Sequence, residues 1–201
     1  MERRTRGPGA HHDRRAAEIA EAVLAMVADE GLAAVSQSRV AARAGVSAGR
    51  VQHYFPTKQR LLQAAFEHAN ALSAARITAR TGDVATSRQV LTVVLTELIP
   101  HDPDTHVHMR VRQAFTALAL TDPAIATRLH ADYTRLHQQL ADLLAHDGVS
   151  DPLPTAIALA ALAEGLAYYV LTDLCSAQTA RDRILTAVDD AYGHQATGSQ
   201  Q

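Results

Sequence analysis

Apolar residues recur at intervals of three and four positions along most of the chain, and no stretch alternates cleanly between apolar and polar residues. In the segment 13–30, for example, Ile19, Val23 and Val27 repeat every four residues and form one apolar stripe. Alanine is abundant, and strong runs of β-branched residues are absent. These features predict an all-α protein, and its 201 residues are enough to build a real hydrophobic core.

Glycine, proline and capping residues divide the chain into nine predicted helices. Ser36, Ser47 and Thr57 are expected to cap the second, third and fourth helices, and Pro123 is expected in the first turn of the seventh. The predicted helices cover residues 13–30, 37–44, 48–55, 58–80, 87–99, 105–120, 123–146, 155–175 and 179–192.

Charge is divided unevenly between the two parts of the chain. Residues 1–60 hold ten Arg or Lys and six Asp or Glu, whereas residues 61–201 hold nine and fifteen, and the net charge is −2. A basic front end on an acidic body fits a chain that meets a polyanion at one end, although scattered surface charge is an open alternative. We expect residues 1–12 to form a disordered basic arm and residues 194–201 a disordered tail.

Several classes of function are disfavoured by the sequence. No apolar run approaches a membrane span, the N-terminus lacks the apolar core of a signal peptide, and the single cysteine, Cys175, has no partner for an intramolecular disulfide. We therefore predict a cytoplasmic protein without membrane contact. The motifs GxSxG, HExxH, CxxC and the P-loop are missing, so we predict neither an enzyme nor a cofactor.

The string HDPDTHVH at 101–108 collects three His and two Asp, which are residue types that bind metals. His106 and His108 are two positions apart, however, and this spacing does not place them on one face of a helix. A solvated loop is the preferred interpretation, and we predict no metal site.

Two short helices joined by a turn at Gly45 give the pattern of a helix-turn-helix. The second of them needs few positions for the core, mainly Val51 and Phe55. Its remaining side chains form hydrogen bonds and include no carboxylate, as expected for a helix that meets base edges in the major groove. These remaining positions are Ser47, Ala48, Gly49, Arg50, Gln52, His53 and Tyr54.

Two arginines near this motif suggest DNA contacts of their own. Arg39 lies in the first turn of the second helix, where the helix dipole disfavours a cation, so an outside partner such as a phosphate is expected. A solvated Arg39 is the equal alternative. Arg50 is the candidate for reading guanine, and a phosphate contact is its alternative role.

Residues 14–62 resemble the DNA-binding domain of the TetR family of transcriptional regulators. The segments TDPAIATRLHADY and ALAEGLAYYVLTD, in the body of the chain, resemble regulatory domains in the branch that includes the choline-responsive BetI repressors. The residues that carry the first resemblance are Ser36, Val40, Ala41, Ala44, Gly45, Val46, Ser47, Gly49, Phe55, Lys58, Leu61 and Leu62.

The resemblance implies an N-terminal three-helix helix-turn-helix DNA-binding domain over residues 13–58 and a six-helix ligand-binding and dimerisation domain over residues 59–193. It implies that Ser47, Ala48, Gly49, Gln52, His53 and Tyr54 contact DNA, and that Ser36, Gln37 and Lys58 contact phosphates. Lys58 is the only lysine of the chain and would meet the phosphate backbone as a point charge. A Tyr is common in the family where this chain has Gln52, so operator preferences of other members do not transfer.

The resemblance also implies a small-molecule cavity enclosed by helices four to seven, whose ligand changes the spacing of two DNA-binding heads. Each residue expected to face this cavity has an alternative place in the core or at the surface, and the effector is unidentified. The candidates are Phe66, Asn70, Met109, Gln113, Thr116, Tyr133, His137 and Tyr168.

Helices near 155–175 and 179–192 are the predicted dimer interface, because the first of them is rich in alanine and apolar on more than one side. An internal helix of a monomer is the alternative. A two-fold dimer would present two recognition helices to a palindromic operator. We therefore predict a homodimeric, ligand-responsive repressor of double-stranded operator DNA; the alternative is a non-enzymatic small-molecule-binding or interaction protein with a structural helix-turn-helix.

Overall fold

The computed structural model describes residues 8–82 and 85–193, and this part of the chain contains helices and turns but no strand. The prediction of an all-α protein is confirmed. A 3-10 turn, Leu32–Ala34, follows the first helix. The helices are α1 (Pro8–Glu30), α2 (Gln37–Arg43), α3 (Ala48–Tyr54), α4 (Lys58–Thr81), α5 (Ser87–Glu97), α6 (Pro103–Ala119), α7 (Pro123–His146), α8 (Pro152–Leu171) and α9 (Ala177–Gly193).

The predicted caps of the helix-turn-helix region are confirmed. The side chains of Ser36, Ser47 and Thr57 accept hydrogen bonds of 3.2–3.3 Å from backbone N–H groups three residues later. Each cap satisfies an N–H that has no partner inside its own helix. Asp122 caps α7, and Pro123 occupies its first turn as expected. These caps fix where α2, α3, α4 and α7 begin.

Four helices begin earlier than predicted, and one of them is α9, which starts at Ala177 rather than at residue 179. α1 starts at Pro8 rather than at residue 13, so residues 8–12 belong to this helix and not to a disordered arm. α6 starts at Pro103 and α8 at Pro152, because proline fits the first turn of a helix, where no backbone N–H is needed. The rest of the predicted arm, residues 1–7, and the predicted tail, residues 194–201, lie outside the described residues.

Two hydrophobic clusters organise the chain, and α6 contributes to both. The first cluster joins α1–α4 with α6, and its centre is the stacked pair Phe66 and Phe115, whose ring centroids are 4.3 Å apart. The second cluster joins α5, α7, α8 and α9 around the fully buried Met109 of α6. α6 therefore lies between the helix-turn-helix end of the protein and the rest of the helical body.

Candidate DNA interface and regulatory centre

Buried aliphatic side chains on the inner faces of α2 and α3 hold the two helices together. Val40, Ala41 and Val51 are almost completely buried. Gly45 has a φ of 63°, a region that L-residues with side chains rarely adopt, and this allows the chain to reverse between the two helices. The turn is closed by a 3.0 Å hydrogen bond from the Val46 N–H to the Ala41 carbonyl. The core contacts thus use one face of α3 and leave the other face outside.

The outer face of α3 is open to solvent. Ser47, Ala48, Gly49, Arg50, Gln52 and His53 are exposed, and Tyr54 is half-buried. A Cβ atom added to Gly49 would meet no atom within 4 Å, so the fold itself does not require a glycine at this position. A glycine here instead allows another molecule to approach the backbone closely.

Three side chains on or near the outer face of α3 have no partner in the described part of the chain. Among the described residues, Arg50, Gln52 and Lys58 have no hydrogen-bond or ion-pair partner for their side chains, and all three are exposed. The Thr57 cap places Lys58 at the first position of α4, directly after the end of α3. A guanidinium, an amide and an ammonium group are therefore exposed and available to an external ligand.

The aromatic residues at the end of α3 contact one another. The Tyr54 ring lies 4.6 Å from the His12 ring of α1, centroid to centroid, and 5.6 Å from the His53 ring. Tyr54 therefore packs α3 against the first turns of α1, while His53 remains exposed.

Two predicted DNA-contacting side chains have partners inside the protein. The Gln37 amide donates a 2.7 Å hydrogen bond to the Phe55 carbonyl, so its side chain ties α2 to the end of α3. Arg39 pairs with Glu30 at the end of α1, so a partner for this cation is present within the protein, and its contact with a phosphate stays a prediction. Sequence spacing did not reveal this pair because the turn between α1 and α2 brings the two residues together.

A group of one buried and two half-buried polar side chains joins three helices of the body, and we name Arg112, Tyr133 and Glu164 the regulatory centre. The Arg112 guanidinium of α6 lies 2.6 Å from a Glu164 carboxylate oxygen of α8 and 4.8 Å above the Tyr133 ring of α7. The Tyr133 hydroxyl donates a 2.5 Å hydrogen bond to the same carboxylate. The three side chains satisfy one another in the interior.

The charge state of the regulatory centre follows from this arrangement. Burial acts to lower the pKa of Arg112, but the Glu164 carboxylate and Tyr133 outweigh it, and the pKa lies above its usual value. Burial raises the pKa of Tyr133 to about 12. At neutral pH the Arg112 guanidinium is therefore charged and the Tyr133 phenol is neutral.

A second polar pair, Asn70 and His108, joins α4 to α6. His108 is 4% exposed, and its Nε2 lies 3.0 Å from the Asn70 amide oxygen. Because that oxygen is an acceptor, Nε2 carries the hydrogen and Nδ1 is an acceptor. Nδ1 is buried and has no hydrogen-bond partner among the described residues. Burial, followed by the charges of Arg112 and Arg76, lowers the pKa of His108 to about 3, so the imidazole is neutral.

The predicted ligand-facing residues divide into groups. Thr116 and His137 neighbour Tyr133, with 5.7 Å between the Tyr133 and His137 ring centroids. The other candidates do not neighbour Tyr133. Phe66 and Met109 belong to the first and second hydrophobic clusters, and Asn70 contacts His108. Gln113 is half-buried on α6, and Tyr168 is half-exposed on α8 beside Tyr169.

Sequence analysis missed Arg112 and His108, which are two of the buried polar groups of α6. Arg112 and its partner Glu164 are 52 positions apart, so no short motif could indicate the pair. In the sequence, His108 is part of a histidine-rich string. The signal that could have indicated a buried helix face at this position is its apolar neighbour Met109. Within the described residues, no group of three or more His, Cys, Asp or Glu side chains is placed to hold a metal ion.

The outer surface of α8 is apolar. It exposes Leu153, Ile157, Leu162, Tyr168 and Tyr169, and Leu174 and Leu185 are exposed on the adjoining segments. Its inner face is part of the second hydrophobic cluster. Of the helices described, α8 alone is long and apolar enough to cross a membrane by length and composition, a test that core helices also pass.

Comparisons with known proteins agree with this geometry. The model of bacterial regulatory proteins of the tetR family matches residues 19–65, and the model of the BetI-type transcriptional repressor C-terminal domain matches residues 87–193. The chain is 32% identical over 164 residues to the regulator BetI of Paraburkholderia xenovorans LB400, covering 76% of this chain and 79% of that one. It is 29% identical over 173 residues to PksA of Bacillus subtilis 168, covering 81% of each.

A solved structure from Rhodococcus sp., described as a TetR-family transcriptional regulator, has the same fold. It superimposes with a TM-score of 0.78 and 27% identity, and the match covers 89% of this chain and 99% of that one. These relatives are described as regulators and not as enzymes, which agrees with the prediction from the sequence. The matches span both the helix-turn-helix and the helical body, and the chain therefore belongs to the TetR family of transcriptional regulators, with a BetI-type regulatory domain.

Proposed function

We propose that this regulator is a repressor that binds a palindromic operator as a homodimer and is released by a small molecule bound near the regulatory centre. The observation that carries the proposal is the outer face of α3, where the Arg50 and Gln52 side chains are exposed and have no partner among the described residues. Surface groups without internal partners are free to form hydrogen bonds with base edges and phosphates.

The DNA contacts divide into positioning and reading roles. Ser36, Ser47 and Lys58 lie at helix starts and are assigned to phosphates, and Gln37 contributes its backbone because its amide is engaged with Phe55. Arg50 and Gln52 are assigned to base edges. Ala48, Gly49, His53 and Tyr54 form the rest of the contact surface. Arg39, which is neutralised by Glu30, has a minor role at most.

The homodimer is assigned to α8 and α9. Large apolar side chains such as Ile157 and Tyr169 remain exposed on α8 although its inner face is fully packed. Contiguous apolar surface of this kind marks an interface. Pairing α8 and α9 with their copies would form a four-helix bundle and place two α3 helices on one side of a two-fold axis. Tyr168, half-exposed on the same helix, then belongs to the interface rather than to the ligand site.

The effector site is assigned to the surroundings of Tyr133. Thr116, His137 and the regulatory centre combine an aromatic ring with charged and hydrogen-bonding groups, as small-molecule sites commonly do. A ligand that competes for Glu164 would loosen the link between α8 and α6. Since α6 also packs in the first hydrophobic cluster, a shift of α6 would reach the helix-turn-helix.

Fluorescence anisotropy with duplexes tiled across the region upstream of the gene, at several salt concentrations, tests the DNA-binding part. We expect tight binding to one tile, two chains per site, and a steep dependence of affinity on salt. Equal weak binding to every duplex, in this region and in a genome-wide selection of bound fragments, would favour the alternative of a ligand-binding or interaction protein with a structural helix-turn-helix.

Sedimentation of an Ile157→Asp variant tests the interface. Placing a carboxylate in the apolar surface should convert the dimer to a monomer and weaken operator binding. Thr127→Asp, at an exposed position of α7, is the matched control and should remain dimeric. If the Ile157→Asp variant remains a dimer and binds DNA with unchanged affinity, the interface lies elsewhere.

A further inference from the structure

A cleft with a volume of about 730 Å³ separates α1 from α4 and α6. Its walls are mainly apolar and include Leu24 and Ala28 of α1, Leu72 of α4 and Val107 of α6. The Arg76 and His108 side chains complete the lining. The cleft is separate from the regulatory centre, because none of Arg112, Tyr133 and Glu164 lines it.

Two polar atoms of the cleft residues are buried and unpaired. The Nδ1 atom of His108 has no hydrogen-bond partner in the described part of the chain, and neither does the Nη2 atom of Arg76. Arg76 Nε is already engaged, at 2.6 Å from the Glu97 carboxylate, so the free Nη2 is a surplus donor. A buried donor and a buried acceptor without partners destabilise the folded state, and a ligand that bonds to them removes that cost.

A hydroxyl group is suited to both atoms. Its O–H can donate to the neutral His108 Nδ1, and its oxygen can accept from the Arg76 guanidinium. The hydroxyl also fits if the Asn70 amide is turned around, because it can then accept from Nδ1–H instead. No purely donating or purely accepting group has this property.

The charges around the cleft favour a neutral ligand. Glu21, Asp29 and Asp104 lie in its lining, and the first two are paired with His68 and Arg43. These carboxylates disfavour an anion. At the His108 end, the positive charges of Arg76 and Arg112 contribute to the lowered pKa of the imidazole and disfavour an ammonium group.

We propose that the cleft between α1, α4 and α6 is a second small-molecule site, which binds a neutral molecule with an apolar body and a hydroxyl group. One wall of the site is α1, which packs against the helix-turn-helix in the first hydrophobic cluster. A molecule in this cleft therefore touches the DNA-binding end directly, whereas one at the regulatory centre acts through α6.

The probe for this proposal is 2-naphthol, with 2-methylnaphthalene as the matched molecule in which a methyl group replaces the hydroxyl. Binding to the full chain without DNA is measured by calorimetry, and nitrogen NMR of the imidazoles follows the His108 Nδ1 resonance. We expect saturable binding of 2-naphthol at one site per chain, at least tenfold weaker binding of 2-methylnaphthalene, and a shift of the Nδ1 resonance with 2-naphthol only.

Two variants locate the site. Ala28→Phe fills the cleft from the α1 side without changing a polar group, and His108→Leu removes the acceptor. Each should weaken 2-naphthol binding at least tenfold. Ala74→Phe, at an exposed position of α4 outside the cleft, is the control and should bind like the unchanged protein.

Equal affinity for the two probes, or 2-naphthol binding that survives Ala28→Phe, would overturn the proposal. So would the absence of binding to a protein that circular dichroism shows to be folded. Since DNA is not present in these measurements, a negative result leaves the proposed operator binding untouched, and a failure of operator binding leaves this site intact.

Discussion

The outer face of α3 and the regulatory centre use polar residues in opposite ways. On α3, Arg50 and Gln52 are exposed and have no partners in the described part of the chain, so they form new contacts at little cost. In the regulatory centre, Arg112 is buried, and the half-buried Glu164 carboxylate pairs with it. Arg50 and Gln52 can form contacts with DNA only because they are unpaired, whereas Arg112 can stay buried only because Glu164 pairs with it. The difference predicts where substitution harms the fold and where it harms DNA binding alone.

The largest effect is expected for Glu164→Leu, which leaves the Arg112 cation buried without a counter-charge. Removing one member of a buried pair costs about 3–5 kcal/mol of unfolding free energy. Urea denaturation measures the loss, at a fixed protein concentration because the proposed dimer would also contribute to stability.

The double variant Arg112→Met with Glu164→Leu is the control for this prediction. It removes both charges and should recover most of the stability lost in the single variant, because an apolar pair of similar size has no desolvation cost. If the double variant is as unstable as Glu164→Leu, packing rather than charge pairing holds the three helices together at this point.

The second effect is a dependence of the unfolding free energy on pH. It comes from His108, which is neutral and buried, whereas the outer side chains of α3 are exposed to water. The pKa of His108 falls from 6.5 to about 3 in the folded state, so between these values the unfolded chain binds the additional proton. The stabilising contribution is present above the unfolded pKa and is lost as the pH falls below it. At about pH 5 the loss is roughly 2 kcal/mol relative to neutral pH.

The variant His108→Gln keeps an amide N–H for Asn70 and has no titrating group. Its unfolding free energy should fall by about 2 kcal/mol less than that of the unchanged protein between neutral pH and about pH 5. Parallel curves of stability against pH for the two proteins would show that His108 is not the responsible group.

The helices could be read from the sequence, with errors at their ends. Side chains such as Ser47 and Thr57 act within three residues of their own position, so local sequence contains the information. The predicted starts of α6 and α8 lie too late in the chain, because Pro103 and Pro152 fit the first turn of a helix and belong to these helices.

The outer face of α3 was predictable as a set, since exposure on a short helix follows from its few core positions. The pairs Arg39–Glu30 and Arg112–Glu164 were not, because each depends on how distant segments meet. The same holds for the Asn70–His108 bond, which joins residues 38 positions apart. Local chemistry is thus visible in the sequence, while the pairing of charges depends on the tertiary structure.

A smaller effect, confined to DNA, is expected for Arg50→Ala and Gln52→Ala. Since neither side chain has an internal partner to lose, the unfolding free energy should change little. Each variant should lose about 1–3 kcal/mol of discrimination between the operator and single-base variants of it, measured by anisotropy. An equal loss of affinity on operator and random duplexes would contradict the base-reading role and indicate phosphate contacts.

The smallest change is expected for Lys58→Ala, with Arg39→Ala as its matched comparison. Both residues are exposed cations near the same surface, but Arg39 is neutralised by Glu30 whereas Lys58 has no partner in the described chain. Without the Lys58 ammonium, binding to all sequences should weaken alike, and the slope of log affinity against log salt should fall by about 1 for each phosphate that is no longer neutralised. Arg39→Ala should leave this slope nearly unchanged. If the two variants flatten the slope equally, Arg39 exchanges Glu30 for a phosphate on binding, and the internal pair is then a resting partner that DNA displaces.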